Sequence, residues 1–185
     1  MFYNVTNQSG NSYTHLWDIE TAKQLDGGFL ITNAPAGLDI IPRGTLVAVD
    51  QVERTAKVVR TAKVATAVTS SATSVKVSKG HNLAKGDVIG INGKSVTLGA
   101  ITVGTDYDSF TITAGALGEL AIGDVLMSYD GTTACAVDGI LTADAVVDAN
   151  PTASVTFAAV GIKSAALPYP VGKEAKAQLP LCHFI

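Results

Sequence analysis

Three times along the chain a turn residue and a glycine are followed by Thr or Asp and then by an apolar run. The segments are Pro42-Arg43-Gly44-Thr45-Leu46-Val47, Ala84-Lys85-Gly86-Asp87-Val88-Ile89 and Ala121-Ile122-Gly123-Asp124-Val125-Leu126. Glycine reaches positive φ at a corner without steric cost. Asp or Thr can hydrogen-bond the local backbone and end the turn. The pattern therefore reads as a recurrent way of entering a strand; its functional reading is a surface device that clasps a partner. The spacing is too uneven for a solenoid. The last two copies bracket residues 80–127, which points to one compact β module.

Between these turns the chain keeps a period of two. Ser74–Ser78 (SVKVS) alternates apolar and polar residues, and Asp87–Ile91, Ser95–Leu98, Ser109–Thr113 and Asp124–Met127 are further strand candidates. Asn92-Gly93 joins two of them, and both residues tolerate the positive φ of a tight hairpin turn. Residues 29–64 read as strands, as do Cys135–Val137 and Ser154–Val160. Thr142 is placed to cap a short helix over Ala143–Val147, with Asp144 in its first turn. GKEAKAQL (172–179) reads as one or two helical turns and PLCHFI (180–185) as an extended apolar strip. Residues 1–14 read as an extended polar arm, followed by a short helical or irregular stretch near Leu16–Leu25 that Gly27-Gly28 ends.

The fold expected is mostly β: a small β-barrel or β-clip-like outer domain with an inserted β module and few short helices. The texture before residue 65 resumes after residue 130. The division expected is an arm over 1–27, an outer domain from 28–65 plus 130–165, an inserted domain over 66–129 and a tail over 166–185.

Composition narrows the function. Hydrophobic residues make up 47% of the 185 residues, yet aromatics are only 6% and charged residues 16%, against a usual charged share of about 25%. Small and β-branched residues pack thin sheets well and furnish ligand pockets poorly. A net charge of −3 gives no basic excess to neutralise phosphates, so neither nucleic acid nor an anionic membrane surface is an expected partner. No segment reaches the roughly 18 consecutive apolar residues of a spanning helix. The N-terminal Met1-Phe2-Tyr3-Asn4-Val5 lacks the positive start and apolar run of a secretory signal, so synthesis and use in a cytoplasm, or release by lysis, is expected. Two cysteines, Cys135 and Cys182, are too few for a disulfide framework and read as free thiols.

The residues of catalysis are present but scattered. His15, His81 and His183 lie in three different textures, and each reads as exposed or capping. His183 adjoins Cys182, but neighbours on an extended strand point to opposite faces. Asp106-Tyr107-Asp108 starts like an oxygen-ligand loop without the Gly and distal Glu that would complete it, and reads as solvated turn carboxylates. The cysteines and histidines give no zinc spacing. Gly10, Gly27 and Gly28 are not followed by the Gly-Lys-Ser/Thr of a phosphate loop or by a βα unit. The expectation is no enzyme, with no catalytic, metal or cofactor-binding residue.

Several stretches resemble one family. Phe29–Asp50 (FLITNAPAGLDIIPRGTLVAVD) is similar to the opening of phage head decoration proteins, in which a Leu/Ile-Pro-x-Gly-Thr turn leads into a strand. Lys57–Val64, the "DGIL" of Ala136–Val147 and Ser154–Ile162 resemble their later strands, and Gly80–Val88 with Gly115–Val125 resembles modules of phage head-fibre proteins. The resemblance covers about residues 28–165, on short motifs; the large insertion departs from the small decoration proteins. It implies a structural virion protein on the capsid exterior, made in a bacterial cytoplasm and bound to the major capsid protein as a homotrimer. Arms of that family contact the capsid, which makes Phe2, Tyr3 and Val5 the expected anchors, with Trp17 fixing its segment to the body or to a neighbour. The alternative is a β module that binds a carbohydrate or host surface through residues 66–129, with a host-surface glycan as partner.

Overall fold

A computed structural model describes residues 16–35 and 37–185. The chain is mostly β. Its first strands are β1 (Lys23–Gln24), β2 (Phe29–Ile31), β3 (Ile40–Ile41), β4 (Leu46–Asp50), β5 (Thr55–Val58) and β6 (Thr61–Lys63). The middle of the chain forms β7 (Ser74–Ser78), β8 (Val88–Ile91), β9 (Lys94–Thr97), β10 (Ile101–Val103), β11 (Tyr107–Thr111) and β12 (Val125–Asp130). The rest forms β13 (Thr133–Ala134), β14 (Gly139–Leu141), β15 (Ala145–Val146), β16 (Thr152–Ala153), β17 (Val155–Ile162) and β18 (Cys182–Phe184). Among the described residues, helix is confined to single turns at Ile19–Thr21 and Ser164–Ala166 and to α1 (Lys173–Gln178).

The largest sheet runs β1-β17-β14-β4-β5-β2-β16, with β18 alongside β17 in parallel. A second runs β13-β12-β8-β9 with β6 also on β12; a third is β10-β11-β7; β15 and β3 form a two-stranded ribbon. Among the described residues no sheet closes into a barrel, one of the two forms, barrel or β-clip-like, expected for the outer domain. Asn92 and Gly93 turn β8 into β9 with φ of 52° and 75°, the doubly positive pair of a type I′ hairpin, whose twist suits the flanking strands.

The three recurrent turns share one geometry. Gly44, Gly86 and Gly123 have φ of 86°, 93° and 94°, and the following Thr45, Asp87 and Asp124 donate N–H to the carbonyls of Pro42, Ala84 and Ala121 at 3.3, 3.2 and 3.2 Å. Positive φ at the third position of such a turn is the type II requirement for glycine. Each turn then grips one residue of a neighbouring strand. The Gly44, Gly86 and Gly123 N–H groups donate to the carbonyls of Leu141, Leu98 and Val64, and those same residues donate back to the carbonyls of Thr45, Asp87 and Asp124. β4, β8 and β12 therefore begin already in register with β14, β9 and β6. The choice between Asp and Thr has a physical cause. Asp87 and Asp124 accept the N–H of Ala84 and Ala121 at 2.6 and 2.8 Å. Pro42 has no N–H to give, and there Thr45 Oγ1 donates instead to the Pro42 carbonyl at 2.6 Å.

Buried apolar residues fall into three clusters. One lies wholly between Ala62 and Leu126 and is centred on Phe110, Ile89 and Leu98. A second joins Phe29, Ile31, Val47 and Val58 to Leu141 and Val155. The third gathers Leu16 and Trp17 with Ile140, Ile162, Leu167, Leu179 and Cys182, and includes Met127 and Tyr129 of β12. Leu126 and Met127 are consecutive and enter different clusters, as alternation along a strand requires.

Two local expectations are corrected. Ala143–Val147 is not helical: Ala145–Val146 is a strand paired with Ile40–Ile41. The capping groups are used elsewhere, Asp144 accepting the Arg43 N–H at 2.7 Å and Thr142 Oγ1 bonding Thr156 Oγ1 at 2.8 Å. Cys135–Val137 is not a strand but a crossing segment; Cys135 donates to Ser128, Val137 to Gln178 Oε1 and Asp138 to Val47.

Candidate interaction surfaces

Charged side chains inside the molecule are occupied in tying loops to strands. Asp108 on β11 is buried and accepts the Lys79 ammonium and the Gly104 N–H on Oδ1 and His81 Nε2 at 2.9 Å on Oδ2. His81 Nδ1 accepts the Leu83 N–H at 3.2 Å, so Nε2 carries the proton donated to Asp108. The ring meets Phe110 edge-on at 5.6 Å. One expectation changes here: Asp108 is not a solvated turn carboxylate. Of the exposed and capping roles expected for His81 it takes the capping one, with its side chain only 8% exposed. Burial alone would raise the Asp108 pKa. The hydrogen bonds from Lys79, His81 and Gly104, with the Lys79 charge, outweigh it and hold the carboxyl below its ordinary value.

Two other polar groups join elements distant in sequence. Arg60 pairs with Asp87 at 2.8 Å, linking β6 to the second recurrent turn. Glu174 on α1 accepts the Tyr129 hydroxyl at 2.8 Å and the Asn92 N–H at 2.6 Å, fastening α1 to β12 and to the β8–β9 hairpin. Burial, aided by Glu174 and opposed by the Gly93 N–H, pushes the Tyr129 phenol up.

A cleft of about 450 Å³ lies between β5 and the β12–β13 turn, with Cys135 on its wall beside Lys57 and Asp130. Burial and the Asp130 charge raise the Cys135 thiol pKa, against Lys57, which keeps the sulfur protonated and weakly nucleophilic. Cys182 is buried and its thiol donates to the Phe157 carbonyl, while His183 on the same strand is exposed. Both cysteines are free. Among the described residues no group of three or more His, Cys, Asp or Glu is placed to hold a metal ion, and no helix is long and apolar enough to cross a membrane.

Three sets of exposed apolar residues lie at sheet margins. Ile40 and Val146 stand directly opposite each other on the β3–β15 ribbon, 49% and 62% exposed. Cys182 and Phe184 of β18 face the core, so Leu181, His183 and Ile185 face outward, with the exposed Val160 of β17 nearby. Ile101 and Val103 on β10 form the third such margin. Single exposed apolar residues are ordinary, but paired ones on open strands mark contact surfaces.

Of the expected contact residues, Trp17 is 5% exposed and packs in the chain's own core, beneath the Arg43 guanidinium at 5.7 Å. The structure shows it anchoring its segment to the body. Phe2, Tyr3, Val5 and His15 lie outside the described residues. The paired apolar margins were not singled out from sequence; the alternation of PLCHFI held the signal for one of them. No family model, curated protein or solved structure matches this chain.

Proposed function

We propose that this chain is a structural protein of a phage head, bound to the major capsid protein on the outside of the capsid, with copies meeting as a homotrimer. The observation that carries the reading is the distribution of apolar surface. Ile40 with Val146, Leu181 with Ile185, and Ile101 with Val103 are uncovered at the margins of separate sheets. Surfaces of this kind suit a molecule held by several neighbours at once. Open strands offer main-chain hydrogen bonds, and the side chains beside them offer apolar area at about 25 cal/mol per Å² removed from water. The FLITNAPAGLDIIPRGTLVAVD stretch supports it further, since its Pro-Arg-Gly-Thr turn grips Leu141 of the "DGIL" strand. The ionisable groups fit a structural role, because Asp108, Asp87 and Glu174 each bond loop or hairpin N–H groups.

The test is co-sedimentation of the purified chain with expanded phage heads, with light scattering for its mass in solution. Saturable binding is expected, weakened by Ile40→Lys or Val146→Lys, both exposed enough to leave the fold intact. A strict monomer that fails to pellet with heads would overturn the reading.

A further inference from the structure

We propose that β10 is a homotypic contact, pairing edge to edge and antiparallel with β10 of a second copy across a two-fold axis at Thr102. The inference does not depend on the chain being a head protein.

Among the described residues β10 has one neighbour, β11, with Ile101 opposite Phe110, Thr102 opposite Ser109 and Val103 opposite Asp108. Gly104 donates to Tyr107 and Thr111 donates to Ala100. Hydrogen-bonded and non-hydrogen-bonded pairs alternate in an antiparallel ladder, so the Thr102 backbone faces β11. The N–H and C=O groups of Ile101 and Val103 therefore point out from the open edge. The side chains continue an inner sheet face. Val75 and Phe110 are fully buried, whereas Ile101 in the same row is 40% exposed; Val77 and Asp108 are buried, whereas Val103 beside them is 71% exposed. The apolar face of this sheet runs past the core that covers its first two strands.

A second β10 supplies what this edge lacks. With Thr102 on the axis, Ile101 lies opposite Val103 of the other copy, and the reverse. The outward backbone groups then meet as two hydrogen-bonded pairs, and the uncovered Ile and Val side chains lie side by side on one face. Charge permits it: Gly99–Thr105 carries no ionisable residue, and Asp106 falls opposite Leu98 of the second copy, so no like charges are opposed. Edge strands are commonly guarded by charged residues or proline, and this one has neither within those positions. The pairing would join two three-stranded sheets into one. The area is small and of the weak class, which suits a contact multiplied on an assembly.

The test is a Thr102→Cys chain in a Cys135→Ser background, under mild oxidation. In a non-hydrogen-bonded pair the Cα atoms are about 4.5 Å apart, within the span a disulfide bridges. A covalent dimer is expected, and adding Val103→Lys should abolish it. No cross-link at high protein concentration overturns the proposal, as does one that persists with Val103→Lys. Loss of head binding by Val103→Lys without a Thr102→Cys cross-link would assign the edge to the capsid instead. Head binding that fails while the cross-link forms sinks only the proposed function.

Discussion

At the scale of single residues, the charges of this protein act through position. Asp108 sits where Lys79, His81 and the Gly104 N–H converge, and a buried carboxylate is stable only with such donors. Replacing it with Asn leaves an amide facing donors it cannot all accept from. Asp108→Asn should cost about 2–4 kcal/mol in urea unfolding. The pH dependence has a definite sign. The folded pKa of Asp108 is lowered, so its contribution is complete above the unfolded carboxyl value of about 3.9 and is lost as pH falls through the lower folded value. Stability of the wild type should therefore fall more steeply below about pH 4 than that of Asp108→Asn. Parallel curves would mean that the cluster contributes nothing. None of this was legible in sequence. The partners are 27 and 29 residues apart, and only the β7–β11 pairing brings them together.

At the scale of elements, the recurrent turn shows what was legible and what was not. The Gly and the following Asp or Thr announce the turn, because each does local chemistry that the sequence states outright. The same holds for Asn92-Gly93. The Ala143–Val147 segment shows the opposite case. Its helix signals are genuine, but Asp144 and Thr142 find partners across the fold and Ala145–Val146 finds a strand, and tertiary pairing overrides a weak local propensity. The turns also differ in a way that sequence hides. A Cβ on Gly86 would meet nothing, whereas one on Gly44 would lie 2.9 Å from both Leu16 Cδ1 and Leu167 Cδ2. Both substitutions strain a positive φ, at about 1 kcal/mol. Gly44→Ala should add a steric cost and destabilise by about 2–4 kcal/mol, against about 1 for Gly86→Ala. Equal melting shifts for the two would refute the view that the first turn is wedged beneath segments from both ends of the described chain.

At the scale of the whole molecule, β12 decides whether the chain behaves as one cooperative unit. Leu126 is buried among Val75, Ile89 and Phe110, while Met127 and Tyr129 are buried among Trp17, Leu179 and Ile162. The same strand carries β6, β8 and β13, and Tyr129 reaches Glu174 on α1. A core residue of the 62–126 cluster should therefore be felt in the cluster around Trp17. Trp17 is the single tryptophan and reports its own cluster alone, whereas far-UV circular dichroism reports all the sheets. Phe110→Leu removes packing from a fully buried site at a cost of about 1–2 kcal/mol. If β12 couples the cores, urea curves from both probes coincide in the wild type and shift together in the variant. Tyr129→Phe, which cuts the tie to Glu174 without emptying space, should loosen that coupling and begin to separate them. A wild type whose Trp17 signal is unmoved while circular dichroism shows an earlier transition would mean that the 62–126 cluster unfolds by itself, with β12 as a hinge between two independent cores.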